Sequence, residues 1–429
     1  MRRKKNISGR KDEQGIVIVL VAVVMLFVVG AMAALSIDVV TLYTARSEAQ
    51  LAADAAALAA ARVLANSGTT SDFGLLAGAE TRARNVARHV AEQNQVGGKL
   101  VAAGEITVSF GGTDNTNPTV TVSVKKNDLP TFFARIWGTK FVTVGATATA
   151  EAYNPSGPPR ATATATPVAP ICVKPWLLPN KDPSPGGNTI FNPSGNITNT
   201  NLLGFTNTMT LACPGANGAC TTLPASTAAW SYFPGDDATT FPHPTNSLPT
   251  CNPALTTNYQ ESVAGCIQIP ISCSSSALTP ANIDTNPYPS SGRNPDTADA
   301  VNCLTHATNN DGDTVTSTAP PAAPFEFFAG ADNPVAVVDP TLSGKPVMVS
   351  DSLVTVPVFD DTGYNPGWTS VPIIGFVQLF LNPAGTATLP GGSVSTTVIN
   401  IAGCGTGATG TPILGNGASP VAVRLISPP

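Results

Sequence analysis

Charge is scarce in this chain: Asp, Glu, Lys and Arg make up 11% of its 429 residues, under half the usual quarter. Neither half has the basic density of a nucleic-acid binder, so nucleic acid is excluded as a partner. Histidine is nearly absent. His89, His243 and His306 are all there is, which leaves few bases for a nucleophile. No GxSxG, HExxH or Walker string occurs, and no CxxC supports a zinc ribbon or thioredoxin-type site. An enzyme is not expected, nor a cofactor or a metal.

Weaker strings do not change this reading. "GTGATG" (405–410) matches GxGxxG but leads into "TPILG" rather than a helix, so a loop is expected. "NNDGDT" (309–314) has the alternation of a calcium loop. With Gly312 at the sixth loop position, however, Ala307 and Thr318 stand where carboxylates belong, and a solvated turn is the better reading. Asp360 and Asp361 are adjacent, so on a strand they would face opposite ways and form no dyad.

Proline and cysteine are missing from one end only. Pro118 and Pro130 are the sole prolines before residue 154, and all eight cysteines follow residue 171. An even cysteine count in a Pro/Gly/Thr-rich region suggests an oxidising compartment, with unrelated buried thiols as the alternative. The candidates are Cys172, Cys213, Cys220, Cys251, Cys266, Cys273, Cys303 and Cys404. Cys213–Cys220 and Cys266–Cys273 are close enough in sequence for local bridges. A longer link, such as one from Cys404, is the alternative for each.

Charge is also absent from Ile16 to Ile37, and this run is present in force: "IVIVLVAVVMLFVVGAMAALSI". Its length matches the hydrocarbon core of a bilayer. The leader at 1–15, "MRRKKNISGRKDEQG", is basic, so the positive-inside rule keeps it cytoplasmic and sends the rest outward. A signal peptidase could read "AMA" (31–33), and a prepilin peptidase could read Gly15. Apolarity continuing past Ala33 argues against the first, and Leu20, where type IV pilins usually carry glutamate, against the second. A retained anchor is expected.

No proline or turn separates the run from "DVVTLYTARSEAQLAADAAALAAA" (38–61), so one helix should continue to about Leu64. Ala45, Ala49, Ala52 and Ala56 lie on one face of it, whose small side chains permit close approach of another backbone. That face meets either a partner helix or the chain's own domain. Arg46, Gln50 and Asp54 form a polar line.

A helix is predicted over 77–95, a hairpin from 105–110 and 119–126, a short helix over 129–138, and a strand over 140–153. "NPSGPPRATATATPVAP" (154–170) reads as a linker. Beyond it no long helix is expected. Strand-like runs gather late: "PVMVS", "LVTVPVF", "VPIIGFVQLFLN", "SVSTTVINIAG" and "PVAVRLIS". The fold class is α+β: a leader (1–15), a transmembrane helix (16–37), an α+β domain (38–153), a linker (154–170) and a β-rich, disulfide-bonded exported region (171–429).

The basic leader, the stretch "QGIVIVLVAVVMLFVVGAMAALSIDVVTLYTARSEAQLAADAAALAAA" and "LPTFFARIWGTKFVTVGATATAEA" resemble the TadE/TadG-like family of Tad (Flp) pilus-assembly proteins. The likeness covers about residues 10–153. It implies a bacterial inner-membrane, single-pass protein with a pilin-like helix and a small α+β head. Its partners would be the bilayer and other pilus-assembly or secretion membrane proteins. Leu20 sides with the unprocessed, TadG-like branch. No DxSxS occurs, so the von Willebrand A metal site of many TadG proteins is not implied. A non-enzymatic assembly component is therefore expected. The alternative is an adhesin-like surface- or carbohydrate-binding module on the same anchor.

Overall fold

The computed structural model describes residues 11–112, 117–156, 168–184, 187–212, 230–235, 254–266, 269–271, 280–282, 293–305, 312–365, 370–383, 392–404, 411–413 and 417–426. The chain forms two compact units. The first is Met1–Ala56, Ala87–Val108 and Val122–Ala148; the second is Ala57–Val86, Ser109–Thr121 and Thr149–Pro429.

Helix α1 runs unbroken over Lys11–Asn66, 56 residues, about 84 Å at helical rise. Apolar and alanine residues sustain it, and no proline interrupts it. It stops at "NSG": Ser67 Oγ donates to Leu64 O at 2.8 Å, and Gly68 turns left-handed at φ 84°. Helix α2 (Leu76–Glu92) follows, burying Ala79, Ala83, Ala87 and Ala91 at spacing four. Strands β1 (Gln95–Val96) and β2 (Lys99–Leu100) pair across Gly97–Gly98, both at positive φ, as a two-residue hairpin requires.

Strands β3 (Ile106–Gly111), β4 (Thr119–Pro130) and β5 (Phe141–Tyr153) come next. Along β4, Val120, Val122 and Val124 are buried while their neighbours are not, the period-two pattern of a sheet with one covered face. The short helix predicted over 129–138 is not formed as such. Leu129 and Pro130 end β4, and only a 3₁₀ turn, Ala134–Trp137, follows, closed by Gly138 at φ 95°. Extended backbone is what the residue before a proline favours.

The second unit continues with β6 (Val168–Pro170), β7 (Trp176–Pro179), β8 (Thr206–Leu211), β9 (Ser231–Pro234), α3 (Asn258–Ala264), β10 (Pro280–Asn282) and α4 (Arg293–Leu304). Then come β11 (Thr314–Thr316), β12 (Glu326–Phe328), α5 (Pro334–Val338), β13 (Pro346–Val347), β14 (Leu353–Phe359), β15 (Ser370–Leu381), β16 (Val394–Gly403), β17 (Thr411–Ile413) and β18 (Ala422–Ile426). Helix α4 corrects the expectation of no long helix beyond 170. Pro295 sits in its first turn, where a missing N–H costs nothing, and Ala298, Val301 and Leu304 bury one side.

Seven strands form one sheet in the order β10-β15-β14-β7-β9-β8-β16, and β16 pairs back onto β15. Six of them therefore close into a ring. All of β14 is buried: Val354, Val356 and Val358 enter the main core, while Leu353 and Phe359 enter two further apolar clusters. Trp176, Tyr232, Tyr259, Phe191, Val356 and Val377 belong to its main core, where each large side chain contributes roughly 1.5–3 kcal/mol of burial. The polar tips are satisfied. Trp176 Nε1 donates to Tyr259 Oη at 3.0 Å, and Tyr232 Oη donates to Gly392 O at 2.9 Å.

The final strand, "PVAVRLIS" in sequence, joins the sheet of order β18-β5-β4-β3. β18 runs antiparallel to the end of β5, from Ala422↔Tyr153 to Ile426↔Thr149. Arg424 pairs with Glu151 at 2.9 Å and lies over the Tyr153 ring.

Candidate functional site

Asp38 is the first charged residue after the apolar run, and it is buried. Its carboxylate accepts the backbone N–H groups of Phe132, Phe133 and Ala134 at 2.8, 3.0 and 2.7 Å. Three amides converging on one carboxylate clamp the loop after β4 against α1.

Further along α1, Ala45, Ala49, Ala52 and Ala56 are all buried within the folded chain. The polar line lies beside them. Gln50 Nε2 donates to Asp54 Oδ1 at 2.7 Å, and Arg46 and Gln50 form one wall of a cleft of about 440 Å³. Ser123, Lys125, Thr143 and Thr147 form the other wall. The unit's buried charge is paired: Lys126 Nζ meets Glu105 Oε2 at 2.9 Å and Leu100 O at 3.2 Å. A hydrogen bond from Lys99 holds the Asp128 carboxyl below its usual range; burial opposes this and the nearby Lys126 charge supports it.

In the second unit the end of α1 meets a polar seam. Asn400 Oδ1 accepts from Thr70 Oγ1 and Ser71 Oγ, both at 3.1 Å. Asn400 Nδ2 donates to Ala65 O at 2.6 Å and to Gln378 Oε1 at 2.9 Å. Gln378 Nε2 donates in turn to Asn66 Oδ1 at 3.0 Å, and Asn154 Nδ2 donates to Ile401 O at 2.8 Å. Arg82 of α2 adds a pair with Glu326 at 2.9 Å.

Among the cysteines, Cys172 bonds to Cys266, 94 residues away. That excludes the Cys266–Cys273 bridge, and the longer-range alternative holds for Cys266. Cys303 and Cys404 are also disulfide-bonded. Cys213, Cys220, Cys251 and Cys273 lie outside the described residues, and so does the Cys213–Cys220 pairing. Beside the Cys172–Cys266 bridge, buried Lys174 donates from Nζ to Gly265 O at 2.9 Å. Burial pushes its pKa down to about 8, against the pull of Asp351.

"GTGATG" (405–410) and most of "NNDGDT" are likewise outside the described residues. Asp313 is described. Its carboxylate accepts from Gly330 N at 2.7 Å, from Asn333 Nδ2 at 2.8 Å and from Ser350 Oγ, so it serves loop structure. Asp360 and Asp361 follow β14 in a turn instead of lying on a strand. No catalytic motif occurs in the chain, and no metal-ligand cluster occurs among the described residues.

The apolar stretch of α1 has a mean hydropathy of 3.2, and none of it is covered by the fold. Together with the β-rich region after it, this defines the class: a single-pass membrane protein with a large exported region. Residues 15–63 match the TadE/G-like Flp pilus-assembly family. The match covers 49 of the 429 residues, so the likeness to that family is one of the N-terminal helix alone. Neither a curated protein nor a solved structure matches it.

Proposed function

We propose that this protein is a non-enzymatic assembly component of a Tad/Flp pilus or a related secretion machine. Residues 1–15 stay in the cytoplasm, 16–37 cross the inner membrane, and the disulfide-bonded region 171–429 lies outside. The observation that carries the reading is the family match over 15–63, which falls on the one helix among the described residues that is long and apolar enough for the bilayer. In this reading the head at 38–153 is pilin-like, as the resemblance implies. Since the alanine face is buried, assembly contacts are made through the membrane helix and its exposed flank, where Val40, Tyr43 and Leu51 stand open.

The test is complementation of a deletion strain in the native host. The full chain restores pilus assembly and co-purifies with other assembly membrane proteins. Tyr43→Asp/Leu51→Asp keeps the fold and loses both. Normal piliation by a secreted form lacking residues 16–37 contradicts the assembly reading. If that form also bound surface glycans, the adhesin alternative would replace it.

A further inference from the structure

The loop after β4 carries an exposed apolar surface that the fold leaves uncovered: Phe132 is 64% exposed, Ile136 75% and Phe141 60%. Arg135 and Lys140 stand among them, both exposed. The loop is held in shape at both ends. Thr131 N donates to Lys140 O at 3.2 Å, and Asp38 takes the three amides of Phe132, Phe133 and Ala134. Asp38 directly follows Ile37, the last residue of the apolar run. A run of that length places Ile37 at the edge of the hydrocarbon and Asp38 among the headgroups. The depth of the loop is therefore fixed by the clamp, because its backbone is bonded at the level where the chain leaves the bilayer.

We infer that residues 131–141 form an interfacial membrane foot, with Phe132, Ile136 and Phe141 inserted at the headgroup–acyl boundary and Arg135 and Lys140 reaching anionic headgroups. Continuity with the spanning helix is what identifies lipid as the occupant. Aromatic and basic side chains flanking apolar ones are the composition that favours this boundary. The foot gives α1 a second point of contact with the membrane and so sets the tilt at which the outer half of the helix leaves it.

The test uses the full-length protein carrying p-benzoylphenylalanine at 132, 136, 141 or 100, reconstituted in phosphatidylcholine vesicles containing 30% phosphatidylglycerol. Leu100 is the control, being 58% exposed. The turn before its strand is bound through Gly97 N to Glu48 at 2.7 Å, and Glu48 lies ten residues beyond Asp38, about 15 Å along the helix. Irradiation followed by mass spectrometry should show lipid adducts at 132, 136 and 141 in about tenfold excess over 100. Arg135→Gln/Lys140→Gln should remove the dependence of that yield on phosphatidylglycerol. Adduct yields at the three loop positions no higher than at 100 overturn the inference. So do protein adducts replacing lipid ones in native membranes, which would assign the loop to a partner subunit.

Discussion

Gln378 on β15 and Asn400 on β16 stand opposite each other in the sheet register, joined by a 2.9 Å hydrogen bond between their side-chain amides. The register shifts immediately afterwards, between Gln378 and Leu379. Both amides are fully buried, and they bond further to Ala65, Asn66, Thr70, Ser71 and Ala418. The C-terminal sheet therefore holds the end of α1 and the turn after it through hydrogen bonds.

Replacing Asn400 by Leu leaves the Gln378, Ala65, Thr70 and Ser71 groups without this partner. The expected loss is at least about 3 kcal/mol, since each stranded buried polar group costs about 1–3. Chemical unfolding of the full chain in detergent measures it. A loss below 1 kcal/mol would show that water replaces the amide.

Much of the framework was legible in the sequence. The extent of α1 follows from an apolar run passing into alanine without a breaker, and β3, β4 and β5 from period-two alternation. The seam left one signal: Gln378 sits in "FVQLF" and Asn400 in "VINIA", single polar residues inside buried strands. Their partners at the end of α1 lie more than 300 residues away in sequence, and no local pattern encodes that. Asp38 shows the same limit, a charge at a membrane exit whose partners are 94 to 96 residues on. Helix α4 was masked by the surrounding prolines, and cysteine spacing could not reveal the 94-residue Cys172–Cys266 span.

Lys174 makes stability depend on pH. Its folded pKa of about 8 lies below the ordinary 10.5. Between those values the unfolded chain holds a proton that the native state has released, so stability rises with pH; below 8 the full burial cost remains. Relative to Lys174→Met, the wild type should gain about 2 kcal/mol from pH 8 to pH 10. Urea midpoints taken at both pH values check this. Parallel curves would place the ammonium in contact with water.

The Cys172–Cys266 link closes a loop of 94 residues, for which chain entropy gives about 4–5 kcal/mol. Cys172→Ser/Cys266→Ser should lower the unfolding free energy by that order while leaving α1 and its membrane insertion intact. A double variant as stable as the wild type would contradict this.

Ala52 and Ala56 have no exposed surface, so leucine at either position overpacks the first unit. Each substitution should cost about 1–3 kcal/mol. Leu51→Ala, on the open side at 65% exposure, should change stability by under about 0.5 kcal/mol. Thermal melts of the three variants separate the faces. Equal tolerance at all three positions would mean the alanine side is loosely covered.

The central claim is that residues 16–37 are a retained anchor with the disulfide-bonded bulk beyond the membrane. N-terminal sequencing of the protein from purified inner membranes, combined with protease treatment of intact spheroplasts, tests it most directly. The account predicts a chain that keeps residues ahead of Gly15, a leader protected from protease, and a C-terminal region that is digested. A mature chain beginning at Ile16 or Ala34, or a C-terminal region protected in intact spheroplasts, would contradict it.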